Sequence, residues 1–248
     1  SIQFRRNSLR DNGIKLLLAR LIRVDKELAP NAIKQESDKY NVFNLRYIHS
    51  KFDAINRTLY AINTEFHSKF TKITTDIRYR RFFKADKSYD IRFFGGYFLS
   101  NKTDGDYFSF GLNRGSDYLF EQNLFGRSEN EGIFSQQFVV GQGGFKSKFS
   151  KPHFSNQLIT SLNTSFTIWK SFELYNDFAM LKNKNTSPQY FYENGIRLNF
   201  LPNIFEFYFP IYTNEGFEVT KQRYPSKVRF IITTDIDQIY NFFRRGLL

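Results

Sequence analysis

The residues of this chain that could bind a catalytic metal are few and far apart. A hydrolytic zinc site needs histidine and carboxylate ligands at fixed spacing, such as the two histidines of an HExxH helix. The histidines are His49, His67 and His153, and no two of them lie four residues apart. The chain has no cysteine, so thiolate ligands and disulfides are excluded. The sequence therefore predicts no catalytic residue, no metal site and no cofactor in this segment.

Motifs for phosphate or nucleophile chemistry are also missing from the sequence. It contains no GxSxG, Walker or GxGxxG motif, and the GQGG stretch at 141–144 does not open a helix, so it is interpreted as a loop. The formal net charge of +12 raises the question of a nucleic-acid partner. Because the basic residues are scattered along the chain rather than gathered into one stripe, no nucleic-acid partner is predicted.

Charged residues that share one face of an extended chain are the remaining candidates for chemistry. Asp76, Arg78 and Arg80 are two residues apart, and Glu193 and Arg197 are four apart, so each set lies on one side of a strand. They fit a selectivity ring in a channel or a salt-bridge network that fills a barrel, and we favour the network. The charges predicted to face the lumen of a barrel are Asp76, Arg78, Arg80, Asp177, Glu193, Arg197 and Glu206.

Alternating strands are the elements that would position these charges. Residues 203–212 (NIFEFYFPIY) alternate apolar side chains with Glu206 and Tyr208, and similar alternation recurs in 172–181 and 190–200. Side chains on a strand point to opposite faces, so each segment has one apolar and one polar face. Since Arg or Lys facing lipid at the bilayer midplane costs about 2–4 kcal/mol, the charged faces are predicted to point inward. The residues predicted to face lipid are Phe205, Phe207, Phe209, Ile211, Phe172, Leu174, Phe178, Ile196 and Leu198.

About twelve strand candidates follow one another along the chain. Short connections, as at 84–88 and 169–171, alternate with longer polar ones, as at 141–156 and 213–226, and this alternation is typical of outer-membrane barrels. No run of 18 apolar residues occurs, which excludes transmembrane helices. We therefore predict an all-β fold, an antiparallel transmembrane β-barrel segment over residues 1–235. The candidates lie near 14–24, 40–48, 55–66, 70–83, 89–99, 107–120, 132–141, 157–168, 172–181, 190–200, 203–212 and 227–235.

Both ends of the chain depart from this pattern. Residues 1–6 (SIQFRR) look like the end of a strand, and no apolar leader opens the sequence. We therefore expect the barrel to be incomplete, with further strands upstream. From Ile236 to Leu247 apolar residues recur every three or four positions, which predicts a short amphipathic helix over 236–248.

Several blocks of sequence are distinctive, above all FGRSENEGIFSQQFVVGQGGFKS at 125–147. The other blocks are LIRVDKELAP at 21–30, KYNVFNLRY at 39–47, FFGGYFLSN at 93–101, FEFYFPIYTNEGFE at 205–218, KVRF at 227–230 and FFRRG at 242–246. Together, over nearly the whole chain, they resemble the C-terminal region of Bacteroidetes outer-membrane proteins that carry an aminopeptidase N-like (gluzincin) metallopeptidase domain. Members of that family usually end with an aromatic pair, whereas this chain ends in two leucines.

The resemblance implies a bacterial outer-membrane β-barrel that follows a zinc peptidase domain in the same protein. Its partners would be membrane lipid and that upstream domain, which would also hold the zinc. The family's HExxH motif, downstream glutamate ligand and GxMEN motif have no counterpart here, so no catalytic residue is carried over. Two alternatives stay open: a porin- or transporter-like barrel that conducts a solute, and a soluble secreted β-protein that binds glycans through surface aromatics.

Overall fold

A computed structural model describes most of the 248-residue chain. The described residues are 1–7, 12–26, 38–53, 55–84, 87–103, 105–113, 117–121, 132–201 and 204–232. Their strands are β1 (Ile2–Asn7), β2 (Asn12–Asp25), β3 (Lys39–Phe52), β4 (Asn56–Phe66), β5 (Phe70–Lys84), β6 (Lys87–Asn101), β7 (Phe110–Gly111), β8 (Phe154–Ser155), β9 (Leu158–Trp169), β10 (Phe172–Lys182), β11 (Gln189–Leu201), β12 (Phe205–Thr213), β13 (Gly216–Phe217) and β14 (Arg229–Ile232). Two single-turn 3₁₀ helices span Ile133–Gln136 and Tyr224–Lys227. None of the helical turns in these ranges is long and apolar enough to cross a bilayer.

Twelve of these strands form one antiparallel sheet. Its order is β1-β2-β3-β4-β5-β6-β9-β10-β11-β12-β13, with β14 paired to β12, and β7 and β8 pair separately. Antiparallel neighbours can be joined by short turns, as between Trp169 of β9 and Phe172 of β10. The predicted all-β, antiparallel architecture is therefore confirmed. Among the described strands, β1 at one edge does not pair with β13 or β14 at the other, so closure into a barrel stays a prediction.

Two of the predicted strands are wrong. Candidates 107–120 and 132–141 belong to a long insert, residues 102–157 between β6 and β9, and residues 105–113, 117–121 and 132–157 of it are described and contact one face of the sheet. Phe108, Phe110 and Leu112 alternate because they pack against that face, while backbone bonds such as Leu112 N to His153 O connect the insert to itself. The alternation of apolar residues around Phe108 thus indicated an extended segment with one buried side. It did not indicate that this segment packs on the face of the sheet instead of pairing within it. The other candidates match strands of the sheet, and the helix predicted for 236–248 lies outside the described residues.

The hydrophobic core lies between the insert and the sheet face that it contacts, which we call the covered face; the opposite face is the open face. Phe108, Phe110, Leu112 and Phe145 of the insert are almost fully buried. Their partners from the covered face are Tyr40, Val42, Phe70, Phe94, Phe98, Ile159, Ala179, Leu181 and Phe191. The rings meet mostly at tilted or edge angles, as between Phe98 and Phe110 at 4.9 Å. Burial of these aromatic side chains therefore holds the insert on the sheet.

Close contact between the insert and the sheet requires a glycine at position 96. A Cβ built on Gly96 would lie 2.7 and 2.8 Å from two ring carbons of Phe110 and 3.0 Å from Ile159. Gly95 points to the open face, where a Cβ would meet only the Phe93 ring, at 3.4 Å. Two adjacent glycines therefore differ in whether they have room for a methyl group.

Gly96→Ala should lower the free energy of unfolding by about 1–3 kcal/mol, because the added methyl overpacks the contact with Phe110. Gly95→Ala, the matched control, should be neutral or slightly stabilising, because a glycine inside a strand costs about 0.5–1 kcal/mol relative to alanine. Urea unfolding of both variants measures the difference. Equal effects at the two positions would contradict the packing of Phe110 on the sheet.

Candidate functional site

The open face of the sheet is apolar and solvent-accessible. In β10, Leu174 and Phe178 are 44% and 51% exposed, whereas Glu173 and Asp177 are 4% and 3% exposed. On the neighbouring strands β11 and β12, Ile196, Leu198, Phe207 and Phe209 are partly exposed, whereas Glu193, Arg197 and Glu206 are buried. A soluble sheet has the opposite polarity. The open face therefore exposes more apolar surface than a sheet of a soluble protein usually does.

All nine residues predicted to face lipid lie on the open face. Cross-strand pairs connect them, such as Leu174 with Ile196 and Ile196 with Phe209. Phe172, Leu174, Phe178 and Phe205 are exposed, and Phe207, Phe209, Ile211, Ile196 and Leu198 are partly exposed. Their contact with lipid itself stays a prediction.

All seven charges predicted to face a lumen lie on the covered face. Asp177, Glu193, Arg197 and Glu206 are buried, and Asp76, Arg78 and Arg80 are partly exposed. The structure brings them into one network with three further charged residues that the sequence analysis did not single out, Asp90, Arg92 and Glu173. Asp90, Arg92 and Glu173 have the same strand parity as the predicted charges, so alternation was a signal that could have identified them.

Arg197 of β11 is the most highly connected residue of this network. Its Nε and Nη2 donate to the two carboxylate oxygens of Glu206, at 3.1 and 2.6 Å. Its Nη1 donates to Glu173 at 3.0 Å and to Asp90 at 3.4 Å. A two-pronged Arg–carboxylate pair is among the stronger hydrogen-bonded pairs in proteins. One guanidinium therefore joins strands β6, β10, β11 and β12.

Two aspartates each lie between two arginines. Asp76 accepts hydrogen bonds from Arg78 Nε at 3.1 Å and Nη2 at 2.9 Å, and from Arg92 Nη2 at 3.0 Å. Asp90 pairs with Arg80 through both of its oxygens and also contacts Arg197. Buried charges are tolerated only when they are paired and hydrogen-bonded, and both of these aspartates meet that condition.

Lys146 of the insert reaches into this network. Its Nζ lies 2.5 Å from Asp177 and within 4.6 to 5.8 Å of the ring centres of Tyr175, Tyr208 and Phe138. The backbone N–H groups of Lys146 and Ser147 donate to Glu193 at 2.6 and 2.8 Å. Lys146 was missed because its sequence is that of a polar loop, and only the folded chain brings it to Asp177.

The loop interpretation of residues 141–144 agrees with the structure, where they form a turn. Gly144 has φ +75° and comes so close to Asn163 that a Cβ there would lie 2.8 Å from Oδ1. Asn163 in turn donates to Gly143 O and to Asp177 Oδ1, both at 3.0 Å. The glycines therefore bring the insert backbone against the charged network rather than forming a phosphate loop.

A second buried lysine, Lys72 of β5, makes the reciprocal contact from the sheet to the insert. Its Nζ donates to Phe108 O at 3.1 Å, lies 3.7 Å from Glu65 and sits 4.3 Å from the Tyr118 ring centre. The Tyr118 hydroxyl donates to Glu65. Burial raises the pKa of Tyr118 well above its usual value, and the neighbouring carboxylate raises it further, so the hydroxyl keeps its proton as a donor.

A cavity of about 320 Å³ lies between the insert and the charged residues of the covered face. Arg78, Arg80 and Asp90 line it from the sheet, and Val140 and Lys146 line it from the insert. Such a volume is at the lower end of the range of small-molecule sites, about 300–1,000 Å³.

The three histidines lie on separate elements. His49 is on β3 beside Tyr60, His67 is in the β4–β5 turn against Phe70 and Phe108, and His153 is in the insert. Within the described ranges, no group of three His, Asp or Glu side chains is placed to hold a metal ion.

Comparison of the chain with protein-family models, with curated proteins and with solved structures gives no match.

Lys146→Met should lower the free energy of unfolding by about 3–5 kcal/mol, because it leaves Asp177 buried beside Glu193 without its cation. Lys221→Met is the matched control. Lys221 lies 2.5 Å from Glu218, but Lys227 lies equally close to that carboxylate, so the loss should stay within about 1 kcal/mol. Urea unfolding measures both changes, and a loss at Lys146 no larger than at Lys221 would refute its role in the network.

Proposed function

We propose that this chain is part of an outer-membrane β-barrel, with the open face in contact with lipid and the covered face turned toward the barrel interior. The observation that carries the proposal is the apolar, solvent-accessible open face, which lies opposite a covered face that buries charged side chains. Soluble proteins rarely expose contiguous apolar patches of more than a few hundred Å². Lipid is the environment in which an apolar outer face and a polar interior are both favourable.

The position of the open-face charges supports this proposal. Charged residues on that face of β2, β3 and β5 occur only within four residues of a strand end, and they are Lys15, Arg23, Asp25, Lys39, Lys51 and Arg81. Between Lys15 and Arg23 of β2 the open-face residues are Leu17, Ala19 and Leu21. An uncharged band bordered by charges is what a hydrocarbon layer about 25 Å thick requires.

Aromatic pairs at both ends of the strands support it as well. Beside the short turns, Trp169 stacks on Phe172 at 5.8 Å and Phe200 stacks on Phe205 at 5.5 Å. Near the opposite ends of the strands, Tyr192 lies against Tyr212 at 5.8 Å. Outer-membrane barrels carry aromatic girdles at the two membrane interfaces.

The barrel would serve as an anchor rather than a channel. The insert covers the inner face and is held by two buried lysines, Lys72 and Lys146, so a solute would have to displace it. We further propose that the barrel anchors or accompanies a zinc peptidase domain elsewhere in the same protein. That part of the proposal is supported by the resemblance of the sequence blocks, and zinc and catalysis would belong to the other domain.

Phe178→Arg, at the centre of β10, should lower the free energy of unfolding in lipid vesicles by about 2–4 kcal/mol, as a cation on a lipid-facing midplane position does. Phe217→Arg is the matched control, because Phe217 is similarly exposed but lies on the two-residue strand β13, next to a turn. It should cost about 0–1 kcal/mol. If the open face meets water instead, both substitutions should change stability by no more than about 0.5 kcal/mol.

The chain alone should bind no stoichiometric zinc and cleave no aminoacyl substrate, because its histidines cannot supply two ligands from one helical face. Zinc analysis after dialysis and an aminopeptidase assay measure both. A longer protein that joins this chain to an HExxH domain should bind zinc, cleave an aminoacyl substrate and sediment with membranes. Deletion of residues 1–248 from that protein should release its peptidase activity into the soluble fraction. Tight zinc binding by the chain alone, lost on changing any of the three histidines, would overturn this assignment.

A further inference from the structure

The cavity beside the network has more positive than negative side chains on its wall. Two carboxylates line it, those of Asp90 and Asp177. Glu173 and Glu206 bind Arg197 but do not line the cavity. The cations on the wall are Arg57, Arg78, Arg80, Arg92, Arg197 and Lys146. The ion pairs of the covered face are therefore arranged with guanidinium groups toward the cavity and most carboxylates away from it.

Arg78 is not needed to compensate Asp76. The buried Arg92 already binds both oxygens of that carboxylate through Nε, at 3.1 and 3.2 Å, and one of them again through Nη2 at 3.0 Å. Arg78 adds a second fork to the same carboxylate while its side chain stays 43% exposed. Asp76 thus holds the Arg78 guanidinium in a fixed position at the cavity wall.

Some hydrogen-bond donors on the cavity wall have no acceptor within the network of charged residues. Arg78 and Arg80 each use Nε and Nη2 for an aspartate, and their Nη1 groups have no acceptor among the residues that the structure describes. Tyr175, which also lines the cavity, is 2% exposed, and its hydroxyl has no partner within the same ranges. Because a buried hydroxyl is rarely left without a hydrogen bond, the Tyr175 hydroxyl is available to a polar ligand or a water molecule.

We propose that this cavity binds a small organic anion through its phosphate or carboxylate group, held by the Nη1 groups of Arg78 and Arg80. The two arginines are two residues apart on β5, and Arg57, directly across from Arg80 on β4, also lines the cavity with its guanidinium 5.6 Å from the Phe82 ring centre. Each Nη1 group can donate a charge-assisted hydrogen bond to an oxygen of either a carboxylate or a phosphate. Phe52, Leu59 and Val140 provide an apolar wall for the rest of the molecule.

Isothermal titration of the full chain in detergent tests this, with inorganic phosphate and butyrate as separate probes at constant ionic strength. At least one probe should bind the wild-type chain with a stoichiometry near one, and which of them binds identifies the anionic group. Arg78→Gln and Arg80→Gln should each weaken binding by about tenfold or more, as expected for loss of a charge-assisted hydrogen bond. Arg81→Gln is the matched control, because Arg81 is the next residue of β5 and is exposed on the open face.

Absence of binding by both probes, or binding that survives both substitutions, would overturn the proposal and leave the arginines as parts of the salt-bridge network only. Arg78→Gln is the milder variant, because Asp76 keeps Arg92. If the variants misfold, a measurement on the wild-type chain still tests the site. Phenylglyoxal modification of Arg78 and Arg80, followed by mass spectrometry, should slow when the binding probe is added, and modification of Arg81 should not. Equal rates with and without the probe would contradict the site.

The anion site goes beyond the proposed membrane role and does not depend on it. It requires only the covered face and the insert, whichever solvent meets the open face. If Phe178→Arg has no large effect but an anion probe binds, the membrane proposal is contradicted and the anion site is supported. If Phe178→Arg destabilises the chain in vesicles but no probe binds, the anion site is contradicted and the membrane proposal is supported.

Discussion

The burial of charged side chains on one face of the sheet is the constraint on which the rest of the structure depends. An unpaired buried charge is too costly to keep, so each carboxylate and each guanidinium of the covered face must find a partner in place. The strands supply many of these partners themselves, as Arg197 does for Glu206 and Glu173. Asp177 and Glu193 cannot be satisfied in this way, and the insert supplies Lys146 and two backbone N–H groups for them.

The same requirement explains why the insert lies where it does. Lys72 projects from the sheet into the insert and Lys146 projects from the insert into the sheet, and each is surrounded by aromatic rings and bound to a carboxylate. Displacing the insert would expose these pairs and the aromatic core together. A sheet whose polar face is filled by its own chain is suited to anchoring, because the filling is part of the folded structure.

The sequence predicted the sheet well because alternation is a local property. Phe205, Phe207 and Phe209 could be assigned to one face without knowing which strands they pair with. The insert was predicted wrongly because Phe108 and Phe110 show the same alternation, although they pack onto the sheet from outside it. Lys146 could not be assigned at all, because its role depends on Asp177, 31 residues away, and nothing in the polar stretch around it marks that contact.

Contact of the open face with lipid would require that the edges of the sheet be paired. β1 pairs with β2 only over residues 12–17, so within the described strands β2 has hydrogen-bond partners on one side alone for the rest of its length. In water those N–H and C=O groups are solvated. In lipid each of them would cost several kcal/mol without a partner. A sheet that places Phe178 and Leu174 in the bilayer must therefore pair its two edges with each other or with further strands.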